Sequence, residues 1–170
     1  MSALALGPLR ALVVDDDKHM RKLLHALLHA LGIQEIVECT NGTSGYDQLR
    51  VSRPDFVLTD LSMQPVDGIE FTRSVRTAPD SPNRYVPIIM ASGHTERAIV
   101  EAARDAGVSE FMVKPITLQN LQSRVTEIIE RPRPFVRSAS YFGPNRRRRK
   151  DASYAGPWRR ADDRRDMKIA

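Results

Sequence analysis

Five short apolar runs, each followed by an amphipathic stretch, fill the first 130 residues of the chain. The runs are Ala11–Val14, Ile36–Cys39, Phe56–Thr59, Val86–Ala91 and Phe111–Val113. All but the second are continuously apolar rather than alternating. That pattern marks strands covered on both faces, as in a parallel sheet packed under helices. Between the runs, Leu23, Leu24, Leu27, Leu28 and Leu31 recur at helical spacing within Lys18–Leu31, and Gly32 stops that helix. Asn41-Gly42 opens a second helix reaching about Val51, Gly68–Arg76 reads as a third, and Glu96–Ala106 as a fourth ended by Gly107. Leu118, Leu121, Val125 and Ile128 share one face of the last. Repeated β-α alternation with right-handed crossovers leaves few topologies. The expected fold is α/β: a flavodoxin-like, doubly wound, five-stranded parallel sheet of order 2-1-3-4-5. In such sheets the functional crevice lies beyond the carboxyl ends of the strands.

Those ends carry reactive side chains. Asp15-Asp16-Asp17 follows the first strand, Asp60 the third, Ser92 the fourth and Lys114-Pro115 the fifth. Taken singly, each has a plain structural use as a helix cap, a turn residue or a solvated charge. Taken together, they put carboxylates, a hydroxyl and an ammonium on one rim. Crowded carboxylates repel one another, and Mg²⁺, a hard cation that prefers oxygen ligands, relieves the repulsion. An aspartate kept anionic in this way can act as a nucleophile and form an acyl phosphate. Phosphoryl transfer is helped by charge neutralisation at the equatorial oxygens, a role suited to Lys114 and the Ser92 hydroxyl.

Leu12-Val-Val-Asp-Asp16, Asp60 with Met63 and Asp67-Gly68 after it, Met90-Ala-Ser92 and Phe111-Met-Val-Lys-Pro115 resemble the receiver domain of two-component response regulators of the single-domain, CheY-like kind. The resemblance covers residues 9–130. It implies that Asp60 is phosphorylated by a histidine kinase or phosphotransfer protein. It implies a Mg²⁺ site formed by Asp15, Asp16, Asp60 and the backbone carbonyl of Ser62, with Asp16 binding directly and Asp15 through water. Ser92 is then the switch hydroxyl, Phe111 the switch aromatic, and Lys114 the partner of Asp60 and of the phosphoryl group. The bond before Pro115 is expected to be cis, and the domain to signal without being an enzyme. Four positions matter here. The proline after Met63 is displaced to Pro65, Phe111 lacks a hydroxyl, and Ser62 and His94 stand at the variable positions near the phosphate. A metal-dependent phosphatase of related topology would need further acid–base groups and a cap insertion, neither of which the sequence offers. His25 and His29 have metal-ligand spacing but no third ligand, and read as a solvated helix face.

Composition changes after residue 130. Residues 131–170 carry 13 Lys+Arg against 4 Asp+Glu, a net +9, whereas residues 1–130 carry 13 against 17, a net −4. The segment 131–170 reads as an arginine-rich, mostly disordered tail that leaves from the surface of the fourth helix, fifth strand and fifth helix. A fold-back onto the acidic domain is a second arrangement. Within the segment, Tyr141-Phe-Gly-Pro-Asn-Arg-Arg147 recurs as Tyr154-Ala-Gly-Pro-Trp-Arg-Arg160. The pattern resembles the arginine-rich extension of the Cle proteins, receivers that bind cyclic di-GMP and act on the flagellar motor and surface attachment. That resemblance implies ligand contacts from Arg146, Arg147, Arg148, Arg149, Arg159 and Arg160, with Tyr141, Phe142 and Trp158 as stacking partners, and a flagellar motor or other protein as target. The alternative is an adaptor whose basic tail binds nucleic acid or protein under phosphorylation control. The single cysteine, Cys39, fits a reducing compartment. No apolar stretch approaches the ~18 residues of a membrane helix, and Ala3–Leu6 is too short for a signal peptide. A cytoplasmic location is expected.

Overall fold

The computed structural model of the chain describes residues 8–146 and the strand at 168–169. In chain order the elements are β1 (Arg10–Val14), α1 (Lys18–Ala30), β2 (Glu35–Cys39), α2 (Gly42–Ser52), β3 (Phe56–Asp60), α3 (Gly68–Thr77), β4 (Ile88–Ser92), α4 (Arg97–Ala106), β5 (Glu110–Val113), α5 (Leu118–Glu130), β6 (Phe135–Arg137), β7 (Phe142–Pro144) and β8 (Lys168–Ile169). β1 to β5 form one parallel sheet of order β2-β1-β3-β4-β5, the order expected from the sequence.

The continuous apolar runs are explained by the two faces of that sheet. Ala11, Val13, Phe56, Leu58, Ile89 and Ala91 point to one side and pack against Leu24 and Leu28 of α1 and Leu121 and Val125 of α5. Leu12, Val14, Val57 and Ile88 point to the other, against Leu49 of α2 and Phe71 and Val75 of α3. Met90 joins Ala103 of α4 on that same side. Successive strand residues face opposite ways, so a strand buried on both sides must be apolar throughout.

The helices start where side chains satisfy their free amides. Asp17 accepts from the His19 amide, Asn41 from Ser44, Asp67 from Glu70, and Thr117 from Asn120 in a reciprocal capping box. Glu96 precedes α4 without a side-chain cap. The Lys114–Pro115 bond is cis, as expected, and so is Gln64–Pro65.

The largest departure from expectation follows α5. Residues 131–146, assigned by composition to a flexible tail, pack on the domain. β6 and β7 pair as an antiparallel hairpin, with Val136 opposite Gly143, and β6 also pairs with β8. Phe135 and Phe142 form an aromatic trio with Tyr85, with centroids 5.2, 5.3 and 5.7 Å apart. Arg76, at the end of α3, lies under this trio, 5.1 Å from the Phe135 centroid and 1% exposed. It donates to the carbonyls of Gly107 (3.0 Å) and Arg84 (2.8 Å). Burial pulls its pKa down to about 9, so it remains a cation at neutral pH. Gly107 ends α4 with φ of 102°, and a Cβ there would meet Arg76 Cγ at 2.9 Å. Arg133 donates to the carbonyls of Ser109 and Asn145 and approaches Glu110 at 3.6 Å. These contacts lead the extension to the amino ends of β4 and β5. Removal of the Phe142 ring, Val136 and part of the Phe135 ring from water holds the chain there. The rest of the expected tail, 147–167 and 170, lies outside the described residues.

If the hairpin is part of the core, Phe142→Ala should lower the unfolding free energy by about 2–4 kcal/mol, measured as a shift in denaturant midpoint. A change below about 0.5 kcal/mol would show that the hairpin contributes nothing to the fold.

Candidate functional site

The parallel register brings the expected residues to one end of the sheet. Asp15 follows β1 directly, Asp60 ends β3, Ser92 ends β4 and Lys114 follows β5. Asp15 is 2% exposed and Asp60 7%, whereas Asp16 is exposed. Carboxylate oxygens of Asp15, Asp16 and Asp60 lie within 4.8 Å of one another. Lys114 Nζ stands 2.6 Å from Asp60 Oδ1 and 3.7 Å from Asp15 Oδ2.

Backbone groups fix these carboxylates. The Ser62 amide donates to Asp60 Oδ2 at 2.9 Å, and the Asp17 amide to Asp15 Oδ1 at 2.8 Å. The Lys114 amide donates to the Ser92 carbonyl at 2.8 Å, and the Gly68 amide to the Leu61 carbonyl at 2.9 Å. Gly68 has a further reason to be glycine, because a Cβ there would collide with the Asp60 carbonyl oxygen. The sequence placed Asp17 on the rim and Gly68 in the motif without giving either a role at the site. Their signal was local: each sits at the start of a helix that begins just after a site loop.

Electrostatics follow from the crowding. Burial raises the Asp15 pKa, and repulsion from Asp60 adds to it, against the opposing pull of the Asp17 amide and Lys114. Burial also works against the Lys114 ammonium, but Asp60 and Asp15 outweigh it and its pKa is raised. The site therefore disfavours the Asp15 charge and holds the lysine protonated.

Ser92 is buried, and its hydroxyl accepts the His94 amide at 2.9 Å. Phe111 is half-buried and packs beside Leu61, Met90, Ala103, Ile69 and Ile99, next to α4. His25 forms a 2.8 Å contact with Glu38, consistent with its reading as a surface residue. Among the residues expected to contact a nucleotide, Tyr141 and Arg146 are described and stack on each other at 3.9 Å. Phe142, expected to offer a stacking face, is buried in the aromatic trio and offers none. Arg147, Arg148, Arg149, Trp158, Arg159 and Arg160 lie outside the described residues.

The raised Asp15 pKa makes a stability prediction. Because the folded-state pKa exceeds the unfolded one, ionising Asp15 destabilises the fold, and the loss develops as pH rises through the aspartate range. Asp15→Asn should therefore stabilise the metal-free protein at pH 7, and the gain should vanish in acid. A pH-independent loss of stability in denaturant titrations would contradict this account.

Comparison with known proteins agrees with the geometry. The family model for the response regulator receiver domain matches residues 11–126. The chemotaxis protein CheY of Pseudomonas aeruginosa is 33% identical over 123 residues, covering 72% of this chain and 98% of that protein. A response regulator from Chloroflexus aurantiacus superposes with a TM-score of 0.67 at 27% identity, covering 74% of this chain and all of that one. The receiver domain of a Pseudomonas aeruginosa sensor histidine kinase, solved with a magnesium ion in its active-site cleft, shares the fold with a TM-score of 0.63 at 24% identity, covering 71% and 97%. The hairpin at 135–144 lies beyond the matched family region. The chain belongs to the response regulator receiver family of two-component signalling.

Proposed function

We propose that the chain is a cytoplasmic single-domain response regulator that accepts a phosphoryl group on Asp60 from a histidine kinase or phosphotransfer protein, and that it signals rather than catalyses. The supporting observation is the 2.6 Å pair of Lys114 Nζ and Asp60 Oδ1 beside two further carboxylates. An Asp60 oxygen attacks phosphorus as the bond to the donor's histidine nitrogen breaks, and the electron pair stays on the imidazole. Lys114 neutralises charge on the transferred group, while the Ser62 amide keeps Asp60 in place. The donor set suits a hard divalent cation: oxygen ligands, clustered, one of them buried and disfavoured as a bare anion. Asp15, Asp16, Asp60 and the Ser62 carbonyl would hold Mg²⁺, which supplies charge neutralisation for phosphoryl transfer. The Pseudomonas kinase receiver named above holds magnesium in its cleft. Once Asp60 is phosphorylated, the Ser92 hydroxyl, which accepts the His94 amide, donates its own proton to a phosphoryl oxygen, and Phe111 repacks against α4. With no hydroxyl on Phe111, this switch works by ring packing.

Asp60→Asn should abolish transfer of labelled phosphate from a phosphorylated donor, and removal of divalent cations should suppress it in the native chain. Label retained by the variant would reject Asp60 as acceptor.

The repeated Tyr-x-Gly-Pro-x-Arg-Arg pattern supports a second input, the binding of cyclic di-GMP by Arg146–Arg149, Arg159 and Arg160 with Tyr141 and Trp158, acting on motility or attachment through a flagellar motor or other target protein. In the first copy the Tyr141 hydroxyl donates to the Pro144 carbonyl at 2.7 Å while Arg146 covers its ring, so tyrosine, turn and arginine form one unit. Calorimetry on the full chain should show binding of cyclic di-GMP but not of its adenine analogue, with loss in Arg159→Ala/Arg160→Ala. An absence of heat would leave the adaptor reading, in which the basic segment meets nucleic acid or protein.

A further inference from the structure

The amino ends of β4 and β5 carry a second assembly that the phosphoacceptor chemistry does not use. Four guanidinium groups lie over aromatic rings there: Arg76 over Phe135 (5.1 Å), Arg84 over Phe142 (5.8 Å), Arg137 over Phe142 (5.2 Å) and Arg146 over Tyr141 (3.9 Å). Arg146 also meets Asp105 at 3.4 Å. Arg76 and Arg84 spend their donors on backbone carbonyls, and neither they nor Arg137 meet a carboxylate among the described residues. The hairpin segment 131–146 contains four arginines and no acidic residue. Arg76 is fully buried, and among the described residues its Nη2 has no hydrogen-bond partner. Its charge is thus set in a poorly screened medium without a counter-ion, which adds to the positive potential above it.

The surface over Arg76 is both basic and aromatic. Arg137 is exposed, Arg84 is partly exposed, and Tyr85 is 46% exposed while its ring meets Phe135 and Phe142 edge to face. Guanidinium forks suit phosphodiester oxygens, and an accessible ring held by neighbours suits an unpaired base. A duplex offers phosphates but keeps its base faces stacked. A lipid surface would be met by exposed apolar side chains, whereas Phe142 is buried and Phe135 half-buried.

We infer that the pole formed by Arg84, Tyr85 and Arg137, with Arg76 beneath it, binds single-stranded nucleic acid, the arginines on phosphates and Tyr85 against a base. This surface is independent of Asp60 and requires no guanine, so it stands or falls apart from the phosphoacceptor and cyclic di-GMP readings, and it narrows the adaptor reading to one surface and one class of nucleic acid.

The test is fluorescence anisotropy of a labelled oligothymidine of about 15 nucleotides with the full chain across a salt series. The native protein should bind it, with affinity falling linearly in log salt. Arg137→Glu should weaken binding about tenfold and reduce the salt slope by about 0.7 or more, the value for one lost phosphate contact on a single strand. Arg131→Glu makes the same charge change on the same arm, but Arg131 is 79% exposed, lies 4.0 Å from Glu127, and is not among the guanidinium groups that cover a ring. It should leave the slope unchanged. Tyr85→Ala should weaken binding at least about fivefold and Tyr85→Phe restore it. Denaturant midpoints check each fold, and the two arginine variants decide the matter if Tyr85→Ala unfolds. Equal losses from Arg137→Glu and Arg131→Glu would overturn the inference. So would equal affinity for a duplex of the same length, no oligothymidine binding, or association with phosphatidylserine vesicles alone.

Discussion

Asp15 and Asp60 end adjacent strands with their carboxylates almost wholly removed from water, and Lys114 reaches both from β5. Two like charges in such a place are tolerable only with a cation between them. That requirement shapes the surrounding structure. β1, β3 and β5 must run parallel so that all three groups emerge at one end. β4 lies between β3 and β5 and contributes Ser92. The loops after β1 and β3 must aim amides at the carboxylates, as those of Asp17 and Ser62 do. Gly68 lets α3 begin against the Asp60 backbone. The same imbalance of charge that burdens the fold makes the site receptive to a divalent cation and to a transferring phosphoryl group.

The sheet and the acceptor site were legible because both are written in features that survive without coordinates. A strand buried on two faces has to be apolar along its covered length, and Ala11–Val14, Phe56–Leu58 and Ile88–Ala91 are. Once the topology is fixed, residues far apart in sequence must meet at the carboxyl ends, so Asp15, Asp60 and Lys114 could be joined without seeing them. Boundaries were less legible. Val86 looks like part of β4, yet the strand starts at Ile88, because Pro87 has no amide for the ladder and the Ile88 amide turns to the Ser109 hydroxyl at 3.1 Å.

The hairpin was not legible. Its strands are three residues long, too short for a period to declare itself, and they sit in a segment whose composition argues for disorder. What folds it is non-local. Phe135 and Phe142 find Tyr85 and the buried face of Arg76, residues from a loop and a helix end some fifty positions earlier. Nothing in α3 distinguishes Arg76 from a solvated arginine in a last turn. Only the arrival of Phe135 makes it a buried one.

Among the described residues, the acidic cluster lies at the carboxyl ends of the strands and the arginine–aromatic assembly at the amino ends of β4 and β5. Strands of four or five residues separate these ends by about 15 Å. Screening at physiological salt decays over about 8 Å, so a change of charge at Asp60 is weakly felt through space at Arg137. A mechanical route is more direct. The loop entering α4 holds His94, whose amide is bonded to Ser92. The other end of α4 is fastened to the hairpin by Arg146 on Asp105 and by the close approach of Gly107 to Gly143. A helix of ten residues moving as a rigid body would carry both ends together. If the acceptor site and the basic pole communicate, α4 is the element that joins them, and the glycine contact at its end is where a shift would reach the hairpin.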